Sequence, residues 1–141
     1  MSRYLGIDYG DRRVGIAIAD AQVPIAFPRE TIDRQKTDLW QRLEQLIANE
    51  RIAQVVVGLP MHPDGRLNGK NIDVEKFAQE FRTRFQLPLH FQDESYSSVT
   101  VKERTGHFRR KEKMDKGRVD RAAASLILQA WLDNHISERP S

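Results

Sequence analysis

The chain contains no cysteine, which removes disulfides, thiolate zinc centres and cysteine nucleophiles together, so any metal must sit on oxygen or imidazole. Long apolar runs are missing too. No stretch approaches the ~20 residues of a membrane span, and the opening Met1-Ser2-Arg3-Tyr4-Leu5-Gly6-Ile7-Asp8 lacks an apolar leader. The expectation is a cytoplasmic protein with no membrane partner. His62, His90, His107 and His135 show no close spacing of the H-x-x-x-H kind, so none is assigned to a metal. No internal repeat is visible.

What is present suits a folded chain. With 141 residues the expectation is a single domain over 1–141, a length that supports one core. Hydrophobic residues at 39% and charged residues at 30% place it among globular rather than disordered sequences. The net charge of +3 is unevenly spread. Between Lys102 and Arg118 eight basic residues face three acidic ones, a local +5, so the remainder is net negative. A concentrated basic segment is compatible with a polyanionic partner such as nucleic acid.

The pattern alternates strands and helices. Tyr4–Tyr9 and Arg13–Ala19 are apolar, β-rich runs separated by Gly10-Asp11-Arg12, which predicts an antiparallel hairpin. An extended stretch from about Ile25 to Ile32 precedes a helix over Thr37–Glu50, where Leu39, Leu43, Leu46 and Ile47 share a face. Gln54–Gly58 reads as a strand buried on both faces. After a turn-rich segment, Val74, Phe77, Ala78, Phe81 and Phe85 mark a second helix that stops before Pro88. Leu89–Glu94 is a short strand, and residues 105–117 read as a mobile basic loop. A last helix from about Arg118 presents Val119, Ala122, Ala123, Leu126, Ile127 and Ala130. Trp40 and Trp131 read as helix-packing residues. This order predicts an α/β architecture with a mixed sheet, whose ligand site lies at strand C-termini.

Acidic residues recur at those ends. Asp8 closes the first strand, Asp93 and Glu94 close the last, and Asp120 falls in the expected first turn of the final helix. Carboxylates that converge repel one another, and a divalent cation is their natural partner. Oxygen-only ligands favour Mg²⁺ or Mn²⁺ over zinc. Such a cluster can hold two ions that serve phosphodiester hydrolysis without a covalent nucleophile.

Leu5-Gly6-Ile7-Asp8-Tyr9-Gly10 with Arg13-Val14-Gly15-Ile16-Ala17 resembles the opening of the YqgF (RuvX-like) family of Holliday junction resolvases and pre-16S rRNA nucleases. Further blocks match in order: Val56-Val57-Gly58-Leu59-Pro60 with Asp64-Gly65, Asp93-Glu94 with Ser97-Ser98, and Asp120–Ala124 with Leu126-Ile127-Leu128-Gln129. The resemblance covers nearly the whole chain. It implies a ribonuclease H-like fold, a five-stranded mixed sheet of order 3-2-1-4-5 with helices on both faces. It also implies metal-binding carboxylates, which map onto Asp8, Glu94 and Asp120. The chain departs from the family at Ser95, where an arginine commonly follows the acidic pair. The implied activity is metal-dependent nuclease action in maturation of the pre-16S rRNA 5′ end, with junction resolution as the alternative, by a monomer or homodimer. Lys102, Arg109, Arg110, Lys111, Lys113, Lys116 and Arg118 are the candidate nucleic-acid contacts.

Plainer readings stand beside these. Asp8 alone suits a solvated turn, and Asp120 alone suits a helix-dipole partner worth about 0.3–1 kcal/mol. The basic run alone suits a solvated loop. Tyr96 and Phe108 suit either core packing or base stacking. Gly6-Ile7-Asp8-Tyr9-Gly10 also looks like the first phosphate loop of actin-type and Hsp70-type ATPases, but one such domain lacks the second half that encloses a nucleotide. A non-catalytic nucleic-acid-binding factor is the other rival, against which only the complete acidic set argues.

Overall fold

The computed structural model describes residues 2–59, 69–93 and 116–135. In β1 (Arg3–Asp8) and β2 (Arg13–Asp20) successive side chains point to opposite sides. Leu5, Ile7, Val14 and Ile16 therefore enter one core, while Gly6, Gly15, Ala17 and Ala19 line the other face with small groups. The two strands pair antiparallel, with Leu5 opposite Ile18 and Asp8 opposite Gly15. The hairpin expectation holds. β3 (Phe27–Asp33) adds to β2 antiparallel, and β4 (Ile52–Leu59) and β5 (Leu89–Asp93) continue parallel from β1. The sheet order is β3-β2-β1-β4-β5, as the resemblance implied.

The branched face is covered by α1 (Leu39–Glu50) and α2 (Gly69–Phe85). Asp38 caps α1, its carboxylate accepting from the Gln41 N–H at 3.2 Å. The helix therefore starts two residues later than the periodicity predicts. Leu39, Leu43 and Leu46 of α1 and Val74, Phe77, Ala78 and Phe81 of α2 interleave with the branched strand residues. Each fully buried large side chain contributes roughly 1.5–3 kcal/mol. Arg51 and Gln86 end the two helices with φ of 53° and 55°, the left-handed conformation that turns a chain out of a helix.

The small-residue face is covered by α3 (Lys116–His135). Two sequence expectations about this helix are corrected. It begins at Lys116 rather than near Arg118, so residues 116 and 117 are helical and Asp120 lies beyond the first turn. Its buried stripe is Ala124, Ile127, Leu128, Trp131 and Leu132, shifted from the predicted one, with Ile127 in common. Between Val119 and Leu128 the helix carries apolar residues on several sides, so periodicity alone left its rotation ambiguous. The close fit against Gly6 and Gly15 decided it. Trp131 then seats under β1 and β5, stacked between His90 at 4.8 Å and His135 at 4.3 Å, with Tyr4 at 5.8 Å. Burial, with His135 and Arg82 nearby, holds the His90 pKa below the usual imidazole value.

α3 also explains why β3 starts at Phe27 rather than near Ile25. The Gln129 side chain accepts from the Ala26 N–H at 2.8 Å and donates to the Pro24 carbonyl at 3.2 Å, diverting that backbone from the sheet. Among the described residues no helix is long and apolar enough to cross a membrane.

Candidate active site

Asp8 is the last residue of the central strand β1. Its side chain shares the face of Gly6, because Leu5 and Ile7 occupy the opposite core. On that face its cross-strand partner is Gly15 of β2. In β4 the residue of the same parity at this end is Gly58, which pairs with Gln92 of β5. Glycine therefore flanks Asp8, and α3 passes close above.

How close is set by what glycine lacks. A Cβ on Gly15 would overlap the backbone carbonyl of Asp120 outright, and one on Gly6 would lie 2.7 Å from the Leu128 Cβ and 3.0 Å from the Ala124 carbonyl oxygen. The helix backbone thus rests directly on the strands, and Asp120 stands over the residue opposite Asp8. Two carboxylates separated by more than a hundred residues are brought to one end of one face. The dipole-partner reading of Asp120 loses its premise, since that effect is confined to the first turn.

Asp120 is held by Arg13, whose Nε donates to its Oδ2 at 2.7 Å. Both side chains are partly exposed, at 30% and 23%, so the pair's stabilising contribution is at most about 1 kcal/mol. Its larger consequence is orientation: one carboxylate oxygen is engaged and the rotamer is set. Arg121, next to Asp120, donates to Thr31 Oγ1 at 3.3 Å and ties the same part of α3 to β3.

The turn that follows Asp8 is clamped by Arg34. Its Nη1 donates to Tyr9 Oη at 2.8 Å, to the Gly10 carbonyl at 3.2 Å and to the Asp11 carbonyl at 3.3 Å, while its own N–H reaches the Arg12 carbonyl at 2.7 Å. Sequence reading missed both Arg13 and Arg34. Arg13 was visible as a member of the opening motif, but its partner is 107 residues away. Arg34 carries no local signal.

Asp93 lies on the other side of the sheet. It pairs with Leu59 in the row of Phe91 and Val57, which face α1 and α2, and it is exposed. Glu94 lies outside the described residues, as do Lys102, Arg109, Arg110, Lys111 and Lys113, the segment 105–115, and Tyr96 and Phe108. Lys116 opens α3 and Arg118 is exposed on it. Among the described residues no group of three or more acidic, histidine or cysteine side chains is placed to hold a metal. Asp8 and Asp120 are the part of the expected set that is described.

Comparison with known proteins gives concordant findings. Residues 2–134 match the model of the family described as "RuvX: Holliday junction resolvase". A relative from Rippkaea orientalis is 40% identical over 133 residues, covering 92% of this chain and 94% of its own. One from Crocosphaera subtropica is 37% identical over 131 residues, covering 92% and 91%. Both carry the name "Putative pre-16S rRNA nuclease". Among solved structures, the T. thermophilus RuvC chain in complex with a Holliday junction substrate superposes with a TM-score of 0.58 at 13% identity, over 100% of both chains. The fowlpox virus Holliday junction resolvase superposes with a TM-score of 0.52 at 13% identity, over 94% of this chain and 98% of its own. These structures share the ribonuclease H-like fold with it.

Proposed function

The chain belongs to the RuvX family of nucleases, and from that premise we propose that it hydrolyses phosphodiester bonds with divalent metal ions held by Asp8, Glu94 and Asp120. The observation that carries this reading is the seating of Asp120 over Gly15, directly across the ladder from Asp8. Two carboxylates on one face at a strand's C-terminal end, one of them carried by a helix seated directly on Gly15, make an oxygen donor set suited to Mg²⁺ or Mn²⁺. Glu94 is chosen over Asp93 because Asp93 has the parity of the opposite face. When bound, the cations would lower the pKa of the attacking water and stabilise charge developing on the phosphodiester oxygens.

The remaining work falls to the chain itself. Asp8 contributes negative charge from the rigid centre of the sheet. Asp120 contributes it from a helix that cannot slide, because its backbone is packed on glycine. Arg13 keeps the Asp120 carboxylate aimed and partly neutralised before any cation arrives. Lys102, Arg109, Arg110, Lys111, Lys113, Lys116 and Arg118 would take the phosphates that flank the reacting one, an interaction weakened by salt.

The substrate we favour is precursor rRNA, in maturation of the 5′ end of 16S rRNA, on the strength of relatives of that name at 36–40% identity. Resolution of four-way DNA junctions is the second reading, favoured by the description of the family itself. The test is to incubate wild type and Asp8→Asn with labelled single-stranded RNA, single-stranded DNA and a four-way junction, in Mg²⁺, Mn²⁺ or EDTA. Wild type should cleave only with metal, and Asp8→Asn should lose more than the roughly 10–100-fold typical of outer-shell changes. Binding without cleavage by either protein would assign the chain to non-catalytic recruitment instead.

A further inference from the structure

On the layer opposite Asp8, at the same end of the sheet, a cavity of about 190 Å³ opens between the start of α1, one face of α2 and the β1–β2 turn. Its apolar wall is a column of rings. Tyr9 stacks on the buried Phe77 at 4.4 Å, and Phe77 on Trp40 at 5.2 Å. Arginines close both ends, Arg34 over Tyr9 at 5.1 Å and Arg84 over Trp40 at 4.6 Å. The rim carries Arg34, Lys76, Asp73 and Glu80. Three of these come from α2, where Asp73, Lys76 and Glu80 fall on the helix face that includes Phe77.

The chemistry of this lining narrows the occupant. Two cations and two anions cancel, so the cavity is a poor phosphate site. Glu80 already accepts from Arg84 Nε at 2.8 Å and Arg34 Nη1 is engaged by the β1–β2 turn, so the polar demand of the rim falls on Asp73 and Lys76, to which an aliphatic side chain would offer nothing. The volume is below the ~300–1,000 Å³ of pockets for drug-sized ligands, so the occupant is a single small ring system rather than a whole nucleotide. A planar heterocycle offering both donors and acceptors satisfies every wall. Among nucleobases guanine matches best, since O6 and N7 accept from arginine or lysine and its N2 amine donates. The Tyr9 ring is already engaged, stacked on Phe77 at 4.4 Å and with the Arg34 guanidinium 5.1 Å from its centroid. The stacking platform is therefore the side of the exposed Arg34 guanidinium away from Tyr9, a surface on which single-stranded bases are commonly held.

Position ties the cavity to the candidate active site. Tyr9 directly follows Asp8 and points to the other face, so a strand crossing the sheet end at the Gly10–Arg12 turn passes from one to the other. We propose that the Arg34–Lys76–Asp73–Glu80 cavity receives an unpaired guanine of the nucleic-acid substrate, next to the phosphate at Asp8. This inference rests on the nuclease reading for its substrate class and gives that site a base preference.

The experiment separates the two. Fluorescence anisotropy in EDTA, where no cleavage is needed, compares a short uridine-only RNA with the same RNA carrying one central guanine. It is run on wild type and on Asp73→Ala/Lys76→Ala, a double change at two exposed positions that leaves net charge unaltered. Wild type should bind the guanine-containing RNA at least about fivefold tighter, as one good base contact implies. The variant should lose that difference while keeping its affinity for the uridine chain and its circular-dichroism melting temperature. Lys76→Gln alone should give a partial loss. Equal affinities in wild type, or a preference that survives in the double variant, would overturn the pocket. Cleavage without base preference would sink this inference and leave the nuclease reading intact; base preference without metal-dependent cleavage would do the reverse.

Discussion

Gly15→Ala is the sharpest test of the site's construction. The added methyl would overlap the Asp120 carbonyl oxygen, and relief requires α3 to move off the sheet by on the order of 1 Å, because backbone on both sides leaves no rotamer escape. Overpacking of this kind costs roughly 1–3 kcal/mol, which for a chain of this size lowers Tm by several degrees. The catalytic penalty should be larger. Misplacing a reacting group by about 1 Å can cost about 100-fold, and here the displaced group is Asp120. The assay pairs a thermal melt with the cleavage rate of labelled RNA at saturating Mg²⁺. A folded Gly15→Ala protein should therefore be slower by about two orders of magnitude. Full activity with an unchanged melt would refute the claim that glycine packing places Asp120.

Arg13→Gln removes the 2.7 Å bond to Asp120. Stability should change by at most about 1 kcal/mol, since the pair is partly exposed. Activity should fall about 10–100-fold, as for other groups that orient a ligand, with a shift in the Mn²⁺ concentration giving half-maximal rate; an unchanged metal titration would count against an orienting role. His90 supplies a pH dependence. Its folded pKa lies below the unfolded value near 6.5, so the unfolded chain binds more protons in that window. Stability is full above about pH 6.5 and declines as pH falls towards the folded pKa. Melting curves from pH 7.5 to 5 should show the decline, and His90→Gln, which can still meet Gln54, should flatten it. An identical pH slope in the variant would assign the loss to other groups.

Much of the architecture was legible along the chain. The branched runs at Tyr4–Tyr9, Arg13–Ala19 and Gln54–Gly58 are local signals, and each became a strand. The leucines of α1 and Phe77 and Phe81 of α2 repeat at helical spacing and are buried as that spacing requires, while Phe85 at the end of α2 is half-buried against the same core. The strand order followed from the family resemblance rather than from any local pattern. Asp8 was legible because it ends a strand, a property of a few adjacent residues.

Rotation of α3 was not legible. Val119, Ala122, Ala123, Ala124, Leu126, Ile127 and Leu128 are apolar on several sides, so periodicity could not choose among faces. The choice lies in the strands, where Gly6 and Gly15 admit backbone that any side chain would exclude. The same contact decides that Asp120 meets Arg13 and stands near Asp8. By itself the sequence determined which segments become strands and helices, and that Asp8 ends a strand, because those depend on neighbours a few positions away. Tertiary structure alone decided that Asp120, from within a helix, meets that end. Convergence depends on close packing between segments a hundred residues apart, and no local pattern records it.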